Sequence, residues 1–188
     1  VGLAVYERRR GAHDAAVELH EQLVAELHHL AEVDPEATDT TLLVHPVVLQ
    51  DFLDFNDFLD EADAALEALE LEGTLQIASF HPDYQFAGTD AEDITNFSNR
   101  SPYPTLHLLR EESVDRAVES FPEADRIYEK NIETLRTLGA AGWRKLEDVL
   151  SYYTPQVVVQ RACVGAERAA AENRTIFQRE DCGFERRH

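Results

Sequence analysis

Three histidines and one long polar loop are the parts of this chain whose residue types and spacing can do chemistry. His45 and His81 each stand directly before a proline, at the ends of the short apolar runs TTLLV and TLQIASF, and His107 lies inside a third run, TLHLLR. Three imidazoles brought to one place can bind zinc, iron or another transition ion and leave a position open for substrate. They can instead provide acid–base chemistry near neutral pH, or an axial ligand to haem. On this reading His45, His81 and His107 are metal ligands, and His81, His107 and Tyr84 are the catalytic groups. A local alternative stands beside it. A histidine before proline at a strand end can bond its ring to a backbone carbonyl, and His107 can be a satisfied core residue.

Residues 83–104 form a loop that is long for a compact domain, and long loops often serve as lids or binding loops. It carries Tyr84, Phe86, Asn96, Asn99, Arg100 and Tyr103, with Pro102 and Pro104 stiffening its end. Asn99, Arg100, Tyr103 and the nearby Arg110 offer amide, guanidinium and hydroxyl donors in an otherwise acidic chain. Such a donor set suits a carboxylate or phosphate on a small anionic substrate. The competing role for Arg100 and Arg110 is to pair with Asp83, Asp93 or Glu111 and hold the loop down.

These residues need elements to position them. Ala16, Leu19, Leu23, Leu27 and Leu30 recur at three- and four-residue steps, which predicts an amphipathic helix over residues 14–31. His20, His28 and His29 lie on it without the spacing that aims two imidazoles at one ion. A β-branched and apolar run over residues 40–45 predicts a strand that Pro46 stops, and Pro46 suits the first turn of a helix over 47–69. Phe52, Phe55, Leu59, Ala62 and Leu66 form the apolar face of that helix; Asp51, Asp54, Asp57 and Asp60 lie off it as a solvated face. Strands over 74–80 and 105–110 follow. Ser113 is the expected cap of a helix to about 121, and a second helix opens at Pro122 and ends at Gly139. Residues 143–153 are expected to be helical. Over 156–172 strand and helix signals compete.

A helix of this length between the first two strands is a crossover, so they are expected to be parallel neighbours with His45 and His81 at one carboxyl edge, where ligands sit in open α/β sheets. The third strand is expected antiparallel to one of them, with His107 joining the same edge. The expected fold class is therefore α/β, with α+β as the alternative. It is a small mixed sheet of three or more strands with a parallel βαβ unit, covered by helices. Residues 1–150 make one domain, and 151–188 a C-terminal extension that is helical in part and docks a protein partner or another copy of the chain.

The net charge of −20 limits the partners. Arg161, Arg168, Arg174, Arg179, Arg186 and Arg187 lie in the last stretch, so the preceding body is more acidic still. Such a body repels phosphate backbones and argues against nucleic acid. Lys130 and Lys145 are the only lysines; an acid-rich, lysine-poor surface suits a high-salt cytoplasm, and GC-rich codon usage gives the same bias. No apolar run approaches the roughly eighteen residues of a membrane span, and no signal peptide is visible, so the expected location is cytoplasmic. The chain starts at Val1 and has no Met, which reads as a processed or incomplete chain. Cys163 and Cys182 show no metal or redox spacing and read as ordinary thiols.

The stretches TTLLVHP, DFLDFNDFLD, LEGTLQIASFHPDYQFAGT, NRSPYPTLHLLRE and GWRKL resemble a bacterial and plant family catalogued as domain of unknown function 1415. The resemblance spans about residues 1–146 and implies no activity. The family's Gly-Leu-Asn-Leu-Cys-Pro-Phe motif is not kept here, where Gly2-Leu3 runs into Ala4-Val5-Tyr6, so no thiolate is expected from that position. The expected function is a metal- or haem-assisted enzyme acting on a small anionic substrate in a His/Asn/Arg-lined cleft. The alternative is a non-catalytic accessory or structural subunit that docks through residues 154–188.

Overall fold

The computed structural model describes residues 12–120, 126–150 and 158–162. Helix α1 (Ala12–Glu32) buries Leu19, Leu23, Leu27 and Leu30 along one stripe, as their spacing dictates. Helix α2 (Phe52–Ala68) buries Phe55, Phe58, Ala62, Ala65 and Leu66. Both pack on one face of a sheet made from β1 (Thr40–Val44), β2 (Leu75–Phe80) and β3 (Thr105–Arg110), through Leu43, Leu75, Leu106 and Leu108. Each of these large side chains contributes about 1.5–3 kcal/mol by leaving water.

The sheet order is β2-β3-β1-β4, where β4 (Val158–Ala162) lies in the stretch expected to be the C-terminal extension. Every pairing is antiparallel, so the architecture is α+β, and the expected parallel pairing of β1 with β2 does not occur. Both strands pair with β3, which lies between them. They therefore run in the same direction without touching. The physical reason is that β3 offers each of them a complete ladder: Val44 and Phe80 are both opposite Thr105. The ends of β1 and β2 and the start of β3 thus share one edge.

Three elements differ from expectation in informative ways. Helix α2 starts at Phe52, with Asp51 as its cap accepting the N–H groups of Leu53 and Asp54, so Pro46 opens a turn and not a helix. Inside the long loop a short 3-10 helix (Ile94–Ser98) is capped by Asp93. After α3 (Glu111–Ser120), where Ser113 is internal, α4 (Ile127–Leu150) continues past Gly139, whose φ of 62° kinks it instead of ending it. No helix among the described residues is long and apolar enough to cross a membrane. The expectations for residues 1–11, 121–125, 151–157 and 163–188, including the helix start at Pro122, Cys163, Cys182 and the arginine-rich tail beyond β4, lie outside the described residues.

Candidate functional site

The pleat alternates, and directly opposed residues share a face. Ser79 and Ile77 are opposite Leu106 and Leu108, and Leu43 is opposite Leu106. His45 and His81 continue that series, so both rings enter the helix-covered side of the sheet. There the Phe55 ring lies 5.8 Å from the His45 ring and 5.0 Å from the His81 ring, and Phe52 lies 5.4 Å from His81. Tyr84, 5.5 Å from Phe52, and Phe86, 5.0 Å from Tyr84, extend the row to the surface.

His107 is opposite Leu42 and Ala78 and therefore faces the other side of the sheet. The expected three-histidine metal set does not assemble. Among the described residues no three His, Cys, Asp or Glu side chains come together to hold a metal ion. The Thr40 hydroxyl lies 2.6 Å from both the Leu108 carbonyl and His107 Nε2. It has one proton, which goes to the carbonyl, so the hydroxyl accepts from His107 Nε2–H. Burial lowers the His107 pKa and keeps the ring neutral.

His81 is fully buried and both its nitrogens are engaged. Nε2–H donates to the Leu49 carbonyl at 3.2 Å, and Nδ1 accepts the Asp83 N–H at 3.0 Å. Its pKa is lowered, chiefly by desolvation. This is the local plug expected as the alternative. His45 is different. It is 1% exposed, and its Nδ1 lies 2.9 Å from the Val48 carbonyl, which can only accept. The proton is therefore on Nδ1, and Nε2 carries a lone pair. That Nε2 is buried and has no hydrogen-bond partner. Desolvation lowers the His45 pKa to about 4, with the neighbouring His81 adding to the effect. A nitrogen donor with its other nitrogen fixed by a backbone carbonyl is the arrangement a metal-ligating histidine uses.

The donor cluster is divided by the fold. Arg110 lies at the far end of β3, about six residues or roughly 20 Å from the histidine edge, and is 9% exposed. Its guanidinium donates to the carbonyls of Val33 (2.8 Å) and Thr38 (3.1 Å), tying the end of α1 to the sheet. It is a structural clamp, not a substrate donor at this edge. Replacing Arg110 with Met is expected to cost about 2 kcal/mol in urea unfolding by leaving those carbonyls unmet.

Arg100 stays near the edge. Its Nε donates to the Tyr84 carbonyl (3.1 Å) and Nη2 to the Ala91 carbonyl (2.6 Å), with its carbon 4.3 Å from the Phe97 ring centre. Among the described residues it meets no carboxylate, so the competing role, pairing with Asp83, Asp93 or Glu111 to hold the loop down, is met instead through these two loop carbonyls. Asn99 ties the loop to the strand: its carbonyl accepts the His81 N–H (3.1 Å), and its amide donates to the Ser79 carbonyl (3.2 Å). Tyr103 offers its carbonyl to the hydroxyls of Ser101 and Thr105.

Asn96 organises the loop from within. Fully buried, it accepts the Phe86 N–H (3.0 Å) and donates to the Asp90 carbonyl (2.8 Å). Beside it the Asp93 carboxyl accepts the Thr95 N–H and hydroxyl, which hold its pKa below the usual value. The site residues that sequence reasoning missed are Phe52 and Phe55, whose rings hold the imidazoles, and the carbonyls of Val48 and Leu49. The Phe pair carried a signal, since it opens α2 within reach of both His-Pro ends. The carbonyls carried none.

A family model described as a protein of unknown function (DUF1415) matches residues 8–145. No curated protein and no solved structure matches the chain.

Proposed function

We propose, for a chain that belongs to the DUF1415 family, an enzyme acting on a small anionic substrate at the edge where β1 and β2 end and β3 begins. His45 is its functional histidine. The buried, unpartnered Nε2 carries this reading. A lone pair that is kept unprotonated at neutral pH can accept a proton-bearing group of a ligand, or donate to a metal ion with little competition from protons. One nitrogen fits a single-point ligand to a transition metal ion or to haem iron; it does not fit a site built from three protein ligands among the described residues. Bound there, such a centre would supply Lewis-acid or redox chemistry. Arg100, charged and without a carboxylate partner among the described residues, is the group that would meet the substrate's anion.

Absorption spectra during titration with cobalt(II), and separately with ferric hemin, test the cofactor part of this reading. The wild type is expected to change its spectrum with one of the two probes, and a His45→Ala variant of native far-UV circular dichroism to lose that change. Coincident spectra for both proteins with both probes would overturn it.

A further inference from the structure

A ligand can reach His45 Nε2 only if the packing around a ring that is 1% exposed opens. The strand beneath the ring is held by ladders on both sides, and Phe55 above it is fixed in α2. The connection between them, residues 46–50, has no such ladder. Its backbone turns back through Val48 N–H to the His45 carbonyl at 3.3 Å. Otherwise it is held by packing, with Pro46 and Val48 buried and Leu49 half-buried against the core, and by side-chain hydrogen bonds. His45 Nδ1–H bonds the Val48 carbonyl, His81 Nε2–H bonds the Leu49 carbonyl, and the Gln50 amide bonds the Pro46 carbonyl at 2.6 Å. Leu49 is also in the left-handed region, with φ 53°, which a leucine adopts at a cost. Val47 at its tip is 58% exposed.

We infer that residues 46–50 are a gate on His45, latched by the two imidazole–carbonyl hydrogen bonds and sprung by the left-handed Leu49. The inference rests on His45 as the ligand-binding residue, and it deepens that reading by naming how a small ligand enters. His81 is the latch: it touches the gate from β2 while its own nitrogens stay occupied, so it is a positioning residue. The charged groups nearest the latch are Asp83 on its own turn and Asp51 at the start of α2.

The test measures opening without any cofactor. Diethylpyrocarbonate modifies exposed imidazole nitrogens, and mass spectrometry of the peptide containing His45 gives its rate. His81→Phe keeps an aromatic ring against Phe55 and removes the bonds to the Leu49 carbonyl and the Asp83 N–H, of which only the first reaches the gate. It is expected to speed modification of His45 roughly tenfold, the worth of one hydrogen bond. The rate should stay flat in low urea, as local opening does. In the wild type, amide exchange at Val47, Val48 and Leu49 is expected to be faster and less urea-dependent than at Leu42 and Leu43. Equal rates in the two proteins, or exchange at 47–49 that tracks global unfolding, would overturn the gate. A protein that opens this way but ignores cobalt and hemin keeps the gate and loses the cofactor reading.

Discussion

Acidification from about pH 7.5 to about 4 is expected to remove about 3 kcal/mol more stability from the wild-type protein than from a His45→Asn variant. The folded-state pKa of His45 is about 4, below the ordinary value of 6.5, because burial disfavours the charged ring. Between those two values the unfolded chain takes up a proton at this residue and the folded chain does not. The contribution is therefore complete above 6.5 and is lost as the pH falls toward 4. Asn keeps an amide donor where Nδ1–H meets the Val48 carbonyl, and it does not titrate. His81 and His107 are lowered by burial in both proteins, so the difference isolates His45. Urea unfolding across the range reads it out. Parallel stability profiles for the two proteins would show that the ring is not held neutral.

The second large effect is at Phe55. This side chain is fully buried and lies against both imidazoles, so its truncation opens a cavity and frees two rings together. Phe55→Ala is expected to cost about 4 kcal/mol. Leu53→Ala, two residues earlier on the same helix and 72% exposed, is expected to stay within about 0.5 kcal/mol of wild type. A Phe55 loss below about 2 kcal/mol would mean that the rings are held mainly by their carbonyl bonds, each worth about 1 kcal/mol.

The edge of the sheet was legible because His-Pro ends are local signals. A proline that stops a strand fixes where the strand ends, and the run from Thr105 to Arg110 matched its pattern residue for residue. The divided histidines were not legible, because pleat parity between strands depends on register. Thr105 opposite both Val44 and Phe80 is a non-local alignment, and a slip of one residue would send His107 to the other face. The same alignment carries Arg110 away from the loop donors it follows in sequence. The start of α2 was misplaced for a related reason. Local propensity favours a helix at Pro46, yet two imidazoles from different strands hold the carbonyls of Val48 and Leu49, and only Asp51 frees the chain to wind.

What the sequence could show of His45 was its place, and what the structure adds is its protonation. Nitrogen-15 NMR of the histidine rings reads that state directly at neutral pH. His45 is expected to be the Nδ1–H tautomer, with Nε2 unprotonated and free of a hydrogen bond, down to about pH 5. A His45 ring protonated at Nε2, or doubly protonated at neutral pH, would contradict it.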